Sequence, residues 1–348
     1  MKKKIAIILT SVALVLVTAV LLQLAGLLLI PKYMSKPQEG ALIGEYYNEK
    51  NPSHDVIFIG DCEVYEGFTP PTLWEEYGIT SYIRGSAQQL AWQSYYLLED
   101  TLRYETPRAV VFNVLALKYG EPQEESYNRM TLDGMKLSMS KIRAIKASMT
   151  EGESLASYLF PLLRYHSRWK ELTKEDWTYL FRRDTVSHNG YLMQTEIRGG
   201  KSTVEPFPLL DTQLPENSMK YLDKMRDLCA EKGIELILIK APTNAPVYHW
   251  YDEWDAQIVA YAEANGLAYY NLIPKTEEMG IDWNTDTYDK GVHLNVYGAE
   301  KLTRYFGEIL AKQHGLSDRR SDPERSEIWN KKLTAYYEQR NQNQSGGA

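Results

Sequence analysis

Asp55-Val56-Ile57-Phe58-Ile59-Gly60-Asp61-Cys62-Glu63 is the stretch that decides the fold. A short continuous apolar run closed by glycine reads as a buried strand ending in a sharp turn. Such a turn, leading into a helix, lifts the next side chain clear of the sheet, where a nucleophile must stand. Cys62 occupies that place. The thiolate is the reactive form of cysteine, and a helix start just after the turn helps stabilise it. The same stretch also fits a small buried thiol at a strand end, a frequent setting for free cysteine.

Working outward, the alternation of strand and helix continues on the carboxyl side. Ile79–Ile83 is a second strand, ending at Arg84-Gly85-Ser86, and Ala109–Val114 is a third. Ile234–Ile239 and Leu267–Leu272 complete a set of five. Between them lie a short helix within Phe68–Tyr77, with Thr69 or Thr72 as cap, and helical spacing over Gln88–Tyr104. Met219–Lys232, Trp254–Asn265 (stopped by Gly266) and Val296 to Lys312 are further helices. Strands alternating with helices predict a three-layer α/β/α body around a central parallel five-stranded sheet. In such sheets ligands bind outside the carboxyl ends of the strands. Cys62, Gly85, Asn113 and the Lys240–Asn244 loop fall there, and a later loop carrying His293 can reach the same edge.

Residues 118–215 break the rhythm. They are polar, aromatic and helix-leaning, and read as a helical insertion or lid over the carboxyl edge. Within it, Tyr165-His166-Ser167-Arg168-Trp169 combines a donor, a cation and stacking faces. That cluster fits substrate contact or packing between lid and core.

At the amino end, Met1-Lys2-Lys3-Lys4 precedes an uncharged run from Ile5 to Ile30. About 20 apolar residues cross a bilayer as a helix. Leu24-Ala25-Gly26 is a poor signal-peptidase site, so an uncleaved anchor is expected over a cleaved signal. The lysine cluster should stay cytoplasmic, leaving the rest outside, with Lys32 and Lys36 beyond the span. The chain thus divides into 1–36 (cytoplasmic start, anchor and linker), 37–315 (the α/β body) and 316–348. The last segment reads as a polar tail, a solvated helix followed by disorder.

Composition narrows the function classes. With 44% hydrophobic residues the chain can build a full core, and a net charge of −7 with scattered Lys and Arg argues against nucleic acid. The 26 Tyr and 8 Trp fit core building or a cleft for glycans or lipids. The two cysteines, Cys62 and Cys229, lie on different elements and make a poor disulfide pair. No CxxC spacing is present, so no structural metal is expected, and no cofactor is called for.

Near the far end stands Asp289-Lys290-Gly291-Val292-His293-Leu294-Asn295-Val296-Tyr297-Gly298. Gly60-Asp61-Cys62 after a first strand, with Asp and His close together late in the chain, resembles the SGNH (GDSL-type) hydrolase superfamily, with Cys in place of the usual Ser. The nearer resemblance is to membrane-anchored SGNH proteins of Gram-positive bacteria of the DltD and AlgX/AlgJ type, and it runs from about residue 52 to about residue 313. It implies a flavodoxin-like sheet and an extracellular enzyme that works beside a membrane-bound O-acyltransferase on a cell-envelope polymer. Carried over residue by residue, it implies Cys62 as nucleophile, His293 as base and Asp289 as the carboxylate behind it. The backbone N–H groups of Cys62 and Gly85 and the side-chain amide of Asn113 would form the oxyanion hole. Asp61, Arg84, Lys240, Thr243, His166 and Arg168 are the candidates for binding substrate. Two departures matter. The family places Asp three residues before His, where this chain has Lys290, so Asp289, Asp286 or no third member remain open. Its third block, Gly-x-Asn-Asp, is here Val111-Phe112-Asn113-Val114.

Three functions follow as expectations. The first is an acyltransferase or esterase moving a short acyl group, acetyl foremost, to or from hydroxyls of an envelope polysaccharide or teichoic-type polymer through a Cys62 thioester. The second is a non-catalytic glycan-binding or scaffold partner of the acyltransferase. The third is a lipase or lysophospholipase. Taken singly, His293 also fits a helix-cap residue and Asp289 plain turn chemistry.

Overall fold

β1 (Val56–Gly60) is buried along its whole length. β2 (Ser81–Gly85), β3 (Ala109–Asn113), β4 (Glu235–Lys240) and β5 (Ala268–Asn271) lie parallel with it in the order β2-β1-β3-β4-β5. The computed structural model describes residues 2–30, 40–181, 185, 187–203, 211–245 and 250–345. Of the expected anchor-and-linker segment, 31–36 with Lys32 and Lys36 lies outside the described residues, as do 37–39 and 346–348. The helices among the described residues are α1 (Lys2–Leu29), α2 (Ala41–Gly44), α3 (Cys62–Tyr65), α4 (Pro70–Tyr77), α5 (Ala91–Thr101), α6 (Glu125–Leu132), α7 (Met139–Ser148), α8 (Leu155–Leu159), α9 (Pro161–Tyr165), α10 (Lys174–Phe181), α11 (Glu216–Lys232), α12 (Tyr251–Asn265), α13 (Val296–Lys312) and α14 (Pro323–Ser345).

Successive strand residues point to opposite faces, and the core divides accordingly. Ile57, Ile59, Val110 and Phe112 pack with Trp92, Leu98, Met225 and Trp254 from α5, α11 and α12. Val56, Phe58 and Val111 pack with Leu73, Leu302 and Phe306 from α4 and α13. Each large apolar side chain buried this way contributes about 1.5–3 kcal/mol relative to exposure. Three layers therefore form as expected, with helices covering both faces of a parallel sheet. The order reverses at β1, which lies between β2 and β3. A crevice opens at the carboxyl ends where such a reversal occurs, and Cys62 and Asn113 flank it.

Three regions differ from expectation. β2 runs to Arg84 and Gly85 rather than stopping at Ile83, because the Arg84 guanidinium is wholly buried against aromatic rings. It lies 4.2 Å from the Tyr46 ring centre and 5.0 Å from that of Tyr47, and it donates to the Ile43 carbonyl at 2.8 Å. The insertion is shared among three tasks. α7 packs on α5, while α9 and α10 pack on α1. The part that meets the carboxyl edge is the helix-free run 187–203, tied down by Leu192 N to Tyr65 O at 2.8 Å and Val296 N to Gln194 O at 2.7 Å.

The tail, expected as a solvated helix followed by disorder, is helical as α14, but it docks on the body, and the helix continues to Ser345. Trp329 stacks on Trp74 with ring centres 5.8 Å apart, and the Tyr336 hydroxyl donates to Glu300 at 2.8 Å. Trp329 and Tyr336 are seven residues apart, two helical turns, so one narrow aromatic stripe is buried within an otherwise charged helix.

Within Lys3–Leu29 the most apolar 18-residue window has a mean hydropathy of 2.9, and α1 is long and apolar enough to cross a membrane, as an anchor or as a signal sequence.

Candidate active site

The turn after β1 is made by Gly60 and Asp61. A Cβ on Gly60 would meet Val64 Cγ2 at 2.6 Å and Asn113 Cβ at 2.9 Å, so only glycine lets α3 fold back this closely. The Asp61 carboxylate accepts from the Glu63 N–H at 3.2 Å, which fixes the first residue of α3, Cys62. α3 is a single turn. Its dipole is correspondingly small, and the expected stabilisation of a thiolate by a helix start is weak here.

His293 arrives on the loop 287–295. Lys290 (φ 64) and Gly291 (φ 90) are consecutive left-handed residues, and they turn the chain back on itself. Asp289 and His293 therefore face each other although four residues separate them. Gly291 has no substitute: a Cβ there would meet Asn244 Cβ at 2.8 Å and Gly200 O at 2.9 Å. Thr243 and Asn244 hold the loop from β4's side, through Thr243 Oγ1 to the carbonyls of Gly291 and Val292 (both 3.1 Å) and Asn244 N to Gly291 O (2.7 Å). At the other end Asn295 caps α13 by accepting from Tyr297 N.

Across the crevice, His293 Nε2 stands 2.9 Å from Cys62 Sγ, and its Nδ1 stands 2.6 Å from Asp289 Oδ2. The other Asp289 oxygen accepts from the His293 backbone N–H at 2.8 Å, so one carboxylate orients both ring and backbone. Asp286 is elsewhere: buried, paired with Lys301 at 2.7 Å and accepting from Asp282 N.

The charges are tightly coupled. Burial works against a charged imidazole, but the Cys62 sulfur, the Asp289 bond and Glu66 outweigh it and hold His293 well above the usual histidine range. Burial pushes the Cys62 thiol up, and His293 acts in the opposite sense. Burial also raises Asp289, yet its bonds to His293 carry it below the usual carboxylate range. The Cys62 thiol is raised overall, and the imidazole set between sulfur and carboxylate is placed to take its proton and then to oppose that upward push.

Glu66 was not anticipated. Its side chain is buried, 4.0 Å from His293 Nδ1, and receives Tyr288 Oη at 2.8 Å and Gln194 Nε2 at 3.3 Å. The Tyr288 ring lies nearly parallel to the imidazole, at 6.1 Å and 16°. Burial raises Glu66, with His293 opposing. The signal was the i, i+4 spacing from Cys62, which puts both on one face of a helical turn.

Other candidates are engaged elsewhere. Lys240 is buried and binds both oxygens of Glu63 at 2.8 Å. The Asn113 amide donates to Glu63 at 2.9 Å and Asp61 at 3.2 Å, and its oxygen accepts from Ala241 N. It is thus committed to carboxylates rather than turned to an oxyanion. Asp61 is buried and raised to about 6, by burial first and then by Glu63. Asp61, Arg84, Lys240 and Thr243 all make internal bonds that build the site rather than reach out of it. Arg168 binds the Leu29 and Ile30 carbonyls of the α1 end, and the exposed His166 lies in the same hairpin with Nδ1 3.3 Å from Leu163 O. The structure brings neither to Cys62. Gly85 ends β2 in register with Gly60, beside the turn that carries Cys62. Cys229 is a free, buried thiol in α11. Among the described residues no cluster of His, Cys, Asp and Glu suits a metal ion.

No family model matches the chain, and no curated protein matches it. Among solved structures it is similar to a protein from Bacteroides fragilis NCTC 9343 to which acylhydrolase activity is attributed, at 15% identity and a TM-score of 0.37 over 77% of this chain and 94% of that one. It is similar also to a GDSL-like lipase from Bacteroides thetaiotaomicron VPI-5482, at 16% identity and a TM-score of 0.37 over 79% of this chain and 100% of that one. Likenesses this distant assign neither family nor activity.

Proposed function

We propose that this chain is a thiol-dependent esterase or acyltransferase of SGNH type, held to the membrane by α1 and acting outside it. Its substrate class is short acyl esters, acetyl foremost, on hydroxyls of a cell-envelope polysaccharide or teichoic-type polymer. The reading rests on one observation: a sulfur, an imidazole and a carboxylate in line, at 2.9 and 2.6 Å, at the carboxyl edge of a parallel sheet.

The chemistry balances as follows. The Cys62 thiolate attacks the acyl carbonyl and forms the S–C bond. The tetrahedral oxyanion is met by the backbone N–H groups of Cys62 and Gly85. The C–O bond breaks, and His293 Nε2 gives its proton to the departing alkoxide. The acyl group now rests as a thioester. Water or a sugar hydroxyl then loses its proton to His293 as its oxygen attacks the thioester carbonyl. The C–S bond breaks, returning thiolate and imidazolium. Asp289 keeps the ring in the required tautomer and stabilises its charge.

The test is hydrolysis of a chromogenic acetyl ester by the full chain and by His293→Ala. The reading expects a large loss in the variant, and equal rates remove it. A second reading, a non-catalytic scaffold for a membrane-bound O-acyltransferase, is motivated by the commitment of the Asn113 amide to carboxylates. It expects partner capture that is indifferent to Cys62→Ala.

Asp289→Asn tests the electrostatics separately. The carboxylate raises the proton affinity of His293, so its removal lowers it. The high-pH limb of kcat/KM, where the imidazolium proton is lost, should move to lower pH, with a fall in kcat up to about 10⁴-fold. An unmoved limb, read from a pH–rate profile, contradicts the role of Asp289.

A further inference from the structure

We propose that the hairpin from α9 to α10 is a second membrane contact, seated in the headgroup–acyl boundary of the leaflet where α1 ends. The inference rests on reading α1 as a membrane span, and depth along that helix carries it. α1 has 28 residues, about 42 Å at 1.5 Å per residue. The hydrocarbon core takes only about 30 Å, or about 20 residues. Counted from Ile5, just past the lysines, that length ends near Leu24. The exposure of α1 changes at the same place: side chains are open through Leu24, and Gly26 and Leu29 are buried. The protein covers the helix where the hydrocarbon stops.

What covers it is the hairpin. The Leu162 N atom lies 3.6 Å from where a Gly26 Cβ would stand. Arg168 donates to the carbonyls of Leu29 at 3.3 Å and Ile30 at 3.2 Å, groups that a helix end leaves without intrahelical partners. Asp176 holds the guanidinium at 2.9 Å from the α10 side. The hairpin is therefore pinned to α1 at the depth of the interface.

That same hairpin turns large apolar side chains outward: Phe160 (59% exposed), Leu163 (58%), Trp169 (63%), Trp177 (52%) and Phe181 (88%). In water, so many open rings on one short segment are costly. At a membrane interface the indoles find both an apolar bed and a wet edge. Exposed Lys170 and Lys174 are interleaved with them, and long basic side chains so placed reach lipid phosphates, while Arg164 is paired with Glu125 at 2.8 Å. A bilayer satisfies both sets at once, and the contact would hold the catalytic body in one orientation over the surface.

The experiment uses the full chain in nanodiscs of phosphatidylcholine and phosphatidylglycerol, with acyl chains plain or brominated near the headgroup. Tryptophan emission should fall in brominated discs, and the fall should be lost in the Trp169→Phe/Trp177→Phe variant. Emission that does not fall, or that falls equally in the variant, overturns the proposal. Unquenched tryptophans in discs holding two copies would assign the patch to a second copy of the chain and overturn it too. A chain that fails to float with lipid overturns the anchoring reading along with the proposal. One that floats with its tryptophans unquenched overturns the proposal alone.

Discussion

Replacing Cys62 by alanine lowers kcat for a short-chain ester by at least about 10³-fold, and leaves the melting temperature within about 2 °C of the parent. The reason is local. Cys62 is partly exposed, touches the rim of the apolar cluster beneath α3, and has its side-chain polar contact with His293 at 2.9 Å. Its removal therefore costs little packing and the whole of covalent catalysis. Cys62→Ser separates nucleophile from geometry. A hydroxyl depends on its base far more than a thiol does, so the serine variant should be slower than the parent and should lose what remains when His293 is also removed. Retention of parental rates in Cys62→Ala contradicts the mechanism.

The second large effect is on stability. Lys240→Met leaves Glu63 without its cation while both positions stay buried, at 1% and 8% side-chain exposure. Breaking a buried pair by removing one partner costs about 3–5 kcal/mol, because a charge is left uncompensated. The loss should be partly recovered in Lys240→Met/Glu63→Gln, which removes both charges. Glu63 also receives the Asn113 amide, beside the nucleophile turn, so the single variant should lose ester turnover as well as stability. Denaturant unfolding of the parent, the single and the double variants checks it. A single variant as stable as the parent would contradict the stabilising role of the Lys240–Glu63 pair.

The sheet was legible because β1, β3 and β4 each hold a run of four apolar residues, with helical spacing between the strands. Val56–Gly60 and Ala109–Asn113 needed nothing else. β2 was read two residues early because Arg84 resembles the end of a strand, and nothing local announces that Tyr46 and Tyr47, some 37 residues upstream, will sandwich its guanidinium. The helix of the tail is legible in the sequence, but its docking is not, for a related reason: the aromatic stripe is narrow, and its charged neighbours dominate any average. The site's two ends were readable from residue type and order. The contact between them was not, since it depends on a left-handed pair, Lys290 and Gly291, that brings Asp289 behind His293. The polar residues around the nucleophile were assigned to substrate because a charged side chain at a strand's carboxyl end is ambiguous in sequence. Lys240 and Asn113, the latter expected in the oxyanion hole, instead both donate to Glu63, Asn113 donates also to Asp61, and Glu66 stands 4.0 Å from the imidazole Nδ1.

The intact mass of the full chain, acid-quenched after exposure to an activated acetyl donor, tests the central claim most directly. The account predicts a gain of one acetyl group on the peptide bearing Cys62, released by hydroxylamine, absent in Cys62→Ala and longer-lived in His293→Ala. A chain that stays unmodified while it turns the ester over, or one acetylated elsewhere and still active with alanine at position 62, contradicts it.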